Sequence, residues 1–92
     1  MKDPGPPTAV ALRYDGRGAP RVTAKGQHDL AERILALARA HGIPLHEDRE
    51  LVRMLARVEL GAEIPAALYA AVAEVIAFAY RVGRGHADGQ PE

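Results

Sequence analysis

Thr8 and Thr23 are the only aliphatic hydroxyls in this 92-residue chain, which contains no Ser, Cys or Asn. A hydroxyl nucleophile needs a base positioned beside it. Neither threonine has one at an informative spacing, and β-branching explains both as strand residues. His28, His41, His46 and His86 form no HExxH motif and no i,i+4 pair, the spacings that place two imidazoles on one metal. His41, His46 and Glu47 come nearest to a ligand set, but they read better as surface residues around a helix end. Glu59, Glu63 and Glu74 are dispersed, as on solvated faces, and do not form an acid–base pair. No catalytic residue, metal ligand or cofactor is therefore expected. Arg13, Arg17, Arg21 and Lys25 recur every fourth residue. They read as the solvated face of a hairpin, with an acidic partner as the alternative use.

Composition narrows the class further. Hydrophobic residues make up 48% and charged residues 26%, with 12 cations against 12 acids. These values are those of one small globular domain. Zero net charge disfavours nucleic acid or an anionic membrane as the main partner. The start, MKDPGPP, lacks the apolar core of a signal peptide. The longest apolar stretch, Ala66–Phe78, carries Glu74 and is too short to span a bilayer. A cytoplasmic location without membrane insertion is the expectation.

The elements that would carry any site follow from periodicity and punctuation. Residues 1–7 hold three prolines and a glycine and read as an extended lead-in. A domain is expected over 8–82. Thr8–Tyr14 reads as a strand, Asp15–Gly18 as a turn, and Arg21–Lys25 as a second strand with Val22 and Ala24 on one face. Leu30, Ile34, Leu37 and Ala38 predict a helix over Asp29–His41, with Gly42 at its C′ position. Ile43–His46 is expected as a third strand, parallel to the second through a right-handed crossover. Asp48 is a candidate N-cap for a helix burying Leu51, Leu55 and Val58. Pro65 opens a last helix whose stripe is Leu68, Val72, Val75, Ile76 and Ala79. Six alanines, at 66, 67, 70, 71, 73 and 77, would let neighbours approach it closely. Residues 83–92 lack core-forming side chains and are expected to be a disordered tail. The predicted fold is α/β in the α+β sense: a small three-stranded mixed sheet, β-β-α-β-α-α, packed by three helices.

Two stretches carry a resemblance, AVALRYDGRGAPRVTAKG at 9–26 and VELGAEIPAALYAAVAEVIAFAY at 58–80. Their order and spacing resemble the C-terminal cytoplasmic domain of the FlhB/YscU family, components of flagellar and injectisome type III export gates. The specific pieces are AVALRYD, then AP-V-AKG, then ELG-EIP-LY-AVAEV, and the likeness covers roughly residues 9–82. The family domain cuts itself at Asn-Pro-Thr-His just before the first of these strands, the asparagine amide attacking its own carbonyl. Counted back without a gap, Pro4 stands at the Asn and Gly5, Pro6 and Pro7 follow it. With no asparagine in the chain, autocleavage by this route is not expected, and the protein is read as a non-enzyme. Arg49 and Glu50 stand where the family often has two prolines, and the helix they open looks one residue shorter.

The resemblance implies a binding role. In the family a shallow hydrophobic patch receives a short apolar motif of early export substrates. Matched by motif, its residues here are Ala19, Pro20, Ala73 and Ile76. The competing reading makes Ile76 ordinary core and Ala19-Pro20 ordinary turn chemistry. The family also places a strand before its cleavage site, and this chain resembles the C-terminal fragment alone. One sheet edge would then be open to a partner's strand, unless residues 1–7 or self-dimerisation cover it. The leading expectation is an interaction module of the export apparatus, resembling the fragment that takes part in substrate switching. Its partners would be export-gate components, export substrates or their chaperones, and it would lie in the cytoplasm or against the membrane gate. The alternatives are a small nucleic-acid-binding domain, disfavoured by charge and a single Phe, and a regulator that adds to the gate by strand pairing.

Overall fold

The computed structural model describes the backbone of residues 7–88 and the side chains of residues 7–82. Strand β1 (Thr8–Arg13) and strand β2 (Arg21–Gln27) form an antiparallel hairpin. Helices α1 (Asp29–Ala40), α2 (Arg49–Leu55) and α3 (Tyr69–Asp88) follow, with a single 3-10 turn (Ala66–Leu68) leading into α3. Pairing runs from Thr8 opposite Gln27 to Arg13 opposite Arg21, with one shift between Ala11 and Leu12. Ala11 faces Ala24 and Leu12 faces Val22, so Thr23 is an extra residue on β2, a bulge.

The bulge reverses part of the face assignment made from alternation. Cross-strand partners share a face, so Val22 lies with Leu12, and Lys25 lies with Val10. Val22 is fully buried with Leu51 and Leu55 of α2, Ile64, Leu68 and Val72. Val10, Leu12, Ala19, Val58, Val75 and Ile76 are half-buried around that cluster. Ala24 belongs to the opposite face with Ala9 and Gly26, and α1 lies there. A side chain at Gly26 would overlap Leu30 of α1, which is the physical need for glycine at that position.

Among the described residues the expected three-stranded mixed sheet is a two-stranded antiparallel one, and Ile43–His46 is not a strand. Ile43 donates its N–H to the Ala38 carbonyl at 2.8 Å, and Gly42, at φ 69°, donates to Arg39 at 3.2 Å. That pair of bonds is a Schellman closure of α1, and Pro44 brings no N–H at all. The segment is thus engaged in ending a helix. The free edge of β2 is taken by residues 61–64: Val22 donates to Ala62 at 3.0 Å, Gly61 to Val22 at 2.7 Å and Ile64 to Pro20 at 3.0 Å. Glu63 forms an isolated antiparallel bridge with Arg21.

Helix α1 buries Ala38 of its predicted stripe but otherwise packs differently. Ala31 and Ala38 are its buried residues, while Leu30 is 48% and Leu37 60% exposed. Asp48 caps α2 as expected, its carboxylate accepting from Leu51 N–H at 3.0 Å. Pro65 precedes the 3-10 turn and does not open α3 directly. The last helix continues through Asp88, six residues into the segment 83–92 read as a disordered tail. Adding residues to a helix already nucleated on a packed turn needs no further nucleation. The last four residues of that tail, and 1–6 of the lead-in, lie outside the described residues. Among the described residues no helix is long and apolar enough to cross a membrane.

Candidate functional site

The hairpin loop and α3 converge on the rim of the cluster around Val22. Ala19 at the end of the loop and Ile76 on α3 both rest half-buried against that cluster. Pro20 between Ala19 and β2 is buried, and its carbonyl accepts from Ile64. Ala73, next to buried Val72, is exposed. The four residues matched by motif therefore take three roles: Pro20 as floor, Ala19 and Ile76 as rim, Ala73 as outer surface. None of them carries a titratable group, so the arrangement can bury an apolar side chain and cannot move a proton. Burying one Val- or Leu-sized side chain is worth about 2 kcal/mol, and a millimolar Kd needs about 4 kcal/mol. By this arithmetic one apolar side chain buried there would be held only transiently without other contacts.

The charged surroundings differ from the solvated hairpin face read from spacing. Lys25 is not on it. Its Nζ donates to the carbonyls of Ala56 at 3.0 Å and Val58 at 2.6 Å, capping the C-terminal end of α2. The bulge at Thr23 delivers Lys25 to this face, a signal that simple alternation cannot carry. Arg21 donates to Glu63 at 3.3 Å and to the Gly61 carbonyl at 3.0 Å. Both side chains of the Arg21–Glu63 pair are more than half exposed (56% and 51%), so the pair itself contributes little. The histidines are scattered. His41 Nδ1 donates to the Leu37 carbonyl at 2.9 Å. His46 lies against the Phe78 ring of α3 at 5.4 Å and a 58° tilt. No group of three His, Asp or Glu side chains suited to a metal ion occurs among the described residues.

An antiparallel hairpin with one helix on one face and three helical segments on the other defines a class of small α+β domain. The family model for the FlhB, HrpN, YscU and SpaS proteins matches residues 6–79, and the chain belongs to that family of flagellar and type III export proteins. YlqH of Bacillus subtilis is 42% identical over 76 residues, covering 80% of this chain and 82% of that protein. The flagellar biosynthetic protein FlhB of Yersinia enterocolitica is 49% identical over 84 residues, covering 88% of this chain and 22% of that protein. The crystal structure of the cytoplasmic domain of FlhB from Shewanella putrefaciens superposes with a TM-score of 0.81 at 32% identity, covering 92% of this chain and 71% of that one. The chain thus spans most of YlqH and about a fifth of FlhB.

Proposed function

We propose that this protein is a non-enzymatic docking domain of flagellar or type III export. It acts in the cytoplasm at the export gate and binds export substrates, their chaperones or gate components through Ala19, Pro20, Ala73 and Ile76. The observation that carries this reading is that Ala19 and Ile76, 57 residues apart in the chain, both pack half-buried against the cluster around Val22, while Ala73 of the same helix is exposed. Autocleavage is no part of the role. No asparagine is present to attack, and Pro4 stands at its place.

The test is an NMR titration with N-terminal segments of early export substrates, run in parallel on Ile76→Asp. The expected result is saturable shifts at Ala19 and Ala73 that disappear in the variant while its spectrum stays dispersed. Unchanged spectra at millimolar peptide would refute docking at this patch.

A second reading has its own observation. Both backbone groups of Val22 bond to residues 61–62. Its partner Leu12 therefore sits in a non-hydrogen-bonded pair, and by alternation Leu12 and Val10 point their N–H and C=O groups away from β2. Among the described residues no strand lies on that side. A partner's strand would add there, and the same domain would then regulate the gate by completing a sheet.

A further inference from the structure

The loop end of the hairpin concentrates cations in a chain that is neutral overall. Residues 13–25 contain Arg13, Arg17, Arg21 and Lys25 against a single acid, Asp15, while the whole chain balances 12 against 12. Lys25 is taken up by the end of α2. Arg13 and Arg21 stand directly opposite each other across the strands, an arrangement in which like charges repel. Only Arg21 is neutralised. Its Nη2 meets the Glu63 carboxylate and its Nη1 meets the Gly61 carbonyl. That carboxylate also lies alongside Gly18, so the loop folds over the same spot. Asp15, the one acid in the loop, accepts the backbone N–H of Arg17 at 2.9 Å. Neither Arg13 nor Arg17 has an acidic partner among the described residues. Tyr14 beside them is exposed.

We propose that this end of the hairpin, with Arg13 opposite the paired Arg21 and Arg17 exposed in the loop between the strands, is a docking site for a short acidic segment of a protein partner. Guanidinium forks match carboxylates in a bidentate way that ammonium groups do not, and all three residues are arginine. Tyr and Arg are the side chains enriched at protein interfaces. A long polyanion fits less well. Nucleic acid or an anionic bilayer would also meet the acids on the rest of a neutral chain, whereas a short peptide meets only the local field. The site adjoins Ala19 and Pro20 of the apolar patch along the loop, but it recognises charge and does not rest on the apolar contacts of that patch.

The test titrates the full chain with a peptide of about ten glutamates, followed by NMR. Cosedimentation with phosphatidylcholine vesicles containing about a third phosphatidylserine serves as the membrane arm. The expected result is saturable shifts at the amides of Arg13, Arg17 and Arg21, with affinity falling about tenfold between 50 and 200 mM salt. The double variant Arg13→Glu/Arg17→Glu loses at least about tenfold in affinity, and the milder Arg13→Gln/Arg17→Gln keeps the test valid should the reversal disturb the loop. The control Arg53→Glu/Arg57→Glu, at and just beyond α2, binds within about twofold of the parent. Absence of saturable binding at low salt would overturn the proposal. So would equal loss in the Arg53/Arg57 control, or capture by vesicles without binding of the peptide.

Discussion

On one face of the hairpin, Val22 is closed over by Leu51, Leu55, Ile64, Leu68 and Val72, drawn from α2, the segment after it and the start of α3. On the other face α1 lies close, buries two alanines, and leaves Leu30 and Leu37 about half exposed or more (48% and 60%). The first face has large side chains that interlock, and the second has small ones that permit close approach, as at Gly26 against Leu30. Hydrophobic stabilisation scales with apolar area removed from water, so the first face holds the fold together. The second is where apolar area remains uncovered, next to a β1 edge on which no strand lies among the described residues. The contrast shows that one side of the ribbon supplies most of the packing, while the other is closed only by small side chains.

The contrast breaks most readily through Leu55, 5% exposed in the interlocked face. Leu55→Ala is expected to cost about 3 kcal/mol, read as a lower urea midpoint at unchanged slope. A cost under about 1 kcal/mol would mean that face is not the core. Lys25 sharpens it next. Lys25→Met keeps the aliphatic stem but removes both bonds to the end of α2, and is expected to cost about 1–2 kcal/mol. The smallest effect belongs to α1, where Leu37→Gln should change stability by no more than about 0.5 kcal/mol. A loss as large as that of Leu55→Ala would place Leu37 in a core that the structure does not give it.

Local chemistry made part of this legible in the sequence. Asp48 as a cap, Gly42 after α1, the two strands around the turn, and Leu51 and Leu55 as core all follow from short-range rules, and the structure has them. What failed depended on neighbours in space. Of the stripe Leu30, Ile34, Leu37 and Ala38, Ala38 is buried as expected, but Ala31 goes in where Leu30 and Leu37 stay about half exposed or more, because the close sheet admits only small side chains. Ile43–His46 has strand composition, but its first N–H closes α1 and the β2 edge belongs to residues 61–64. The bulge at Thr23 moves Lys25 off the predicted basic face, and nothing in local alternation marks it. Of the residues matched by motif, Ala19 and Ile76 both pack against the cluster around Val22, whereas the burial of Pro20 came only with the bond from Ile64.

The most direct measurement is backbone hydrogen exchange along β1 in the monomeric protein, since it reads the uncovered side without a variant. Val10 and Leu12 should exchange at least about tenfold faster than Ala9 and Ala11, whose amides face β2. Equal, strong protection at all four in a monomer would contradict the account, because the edge left for a partner would already be filled.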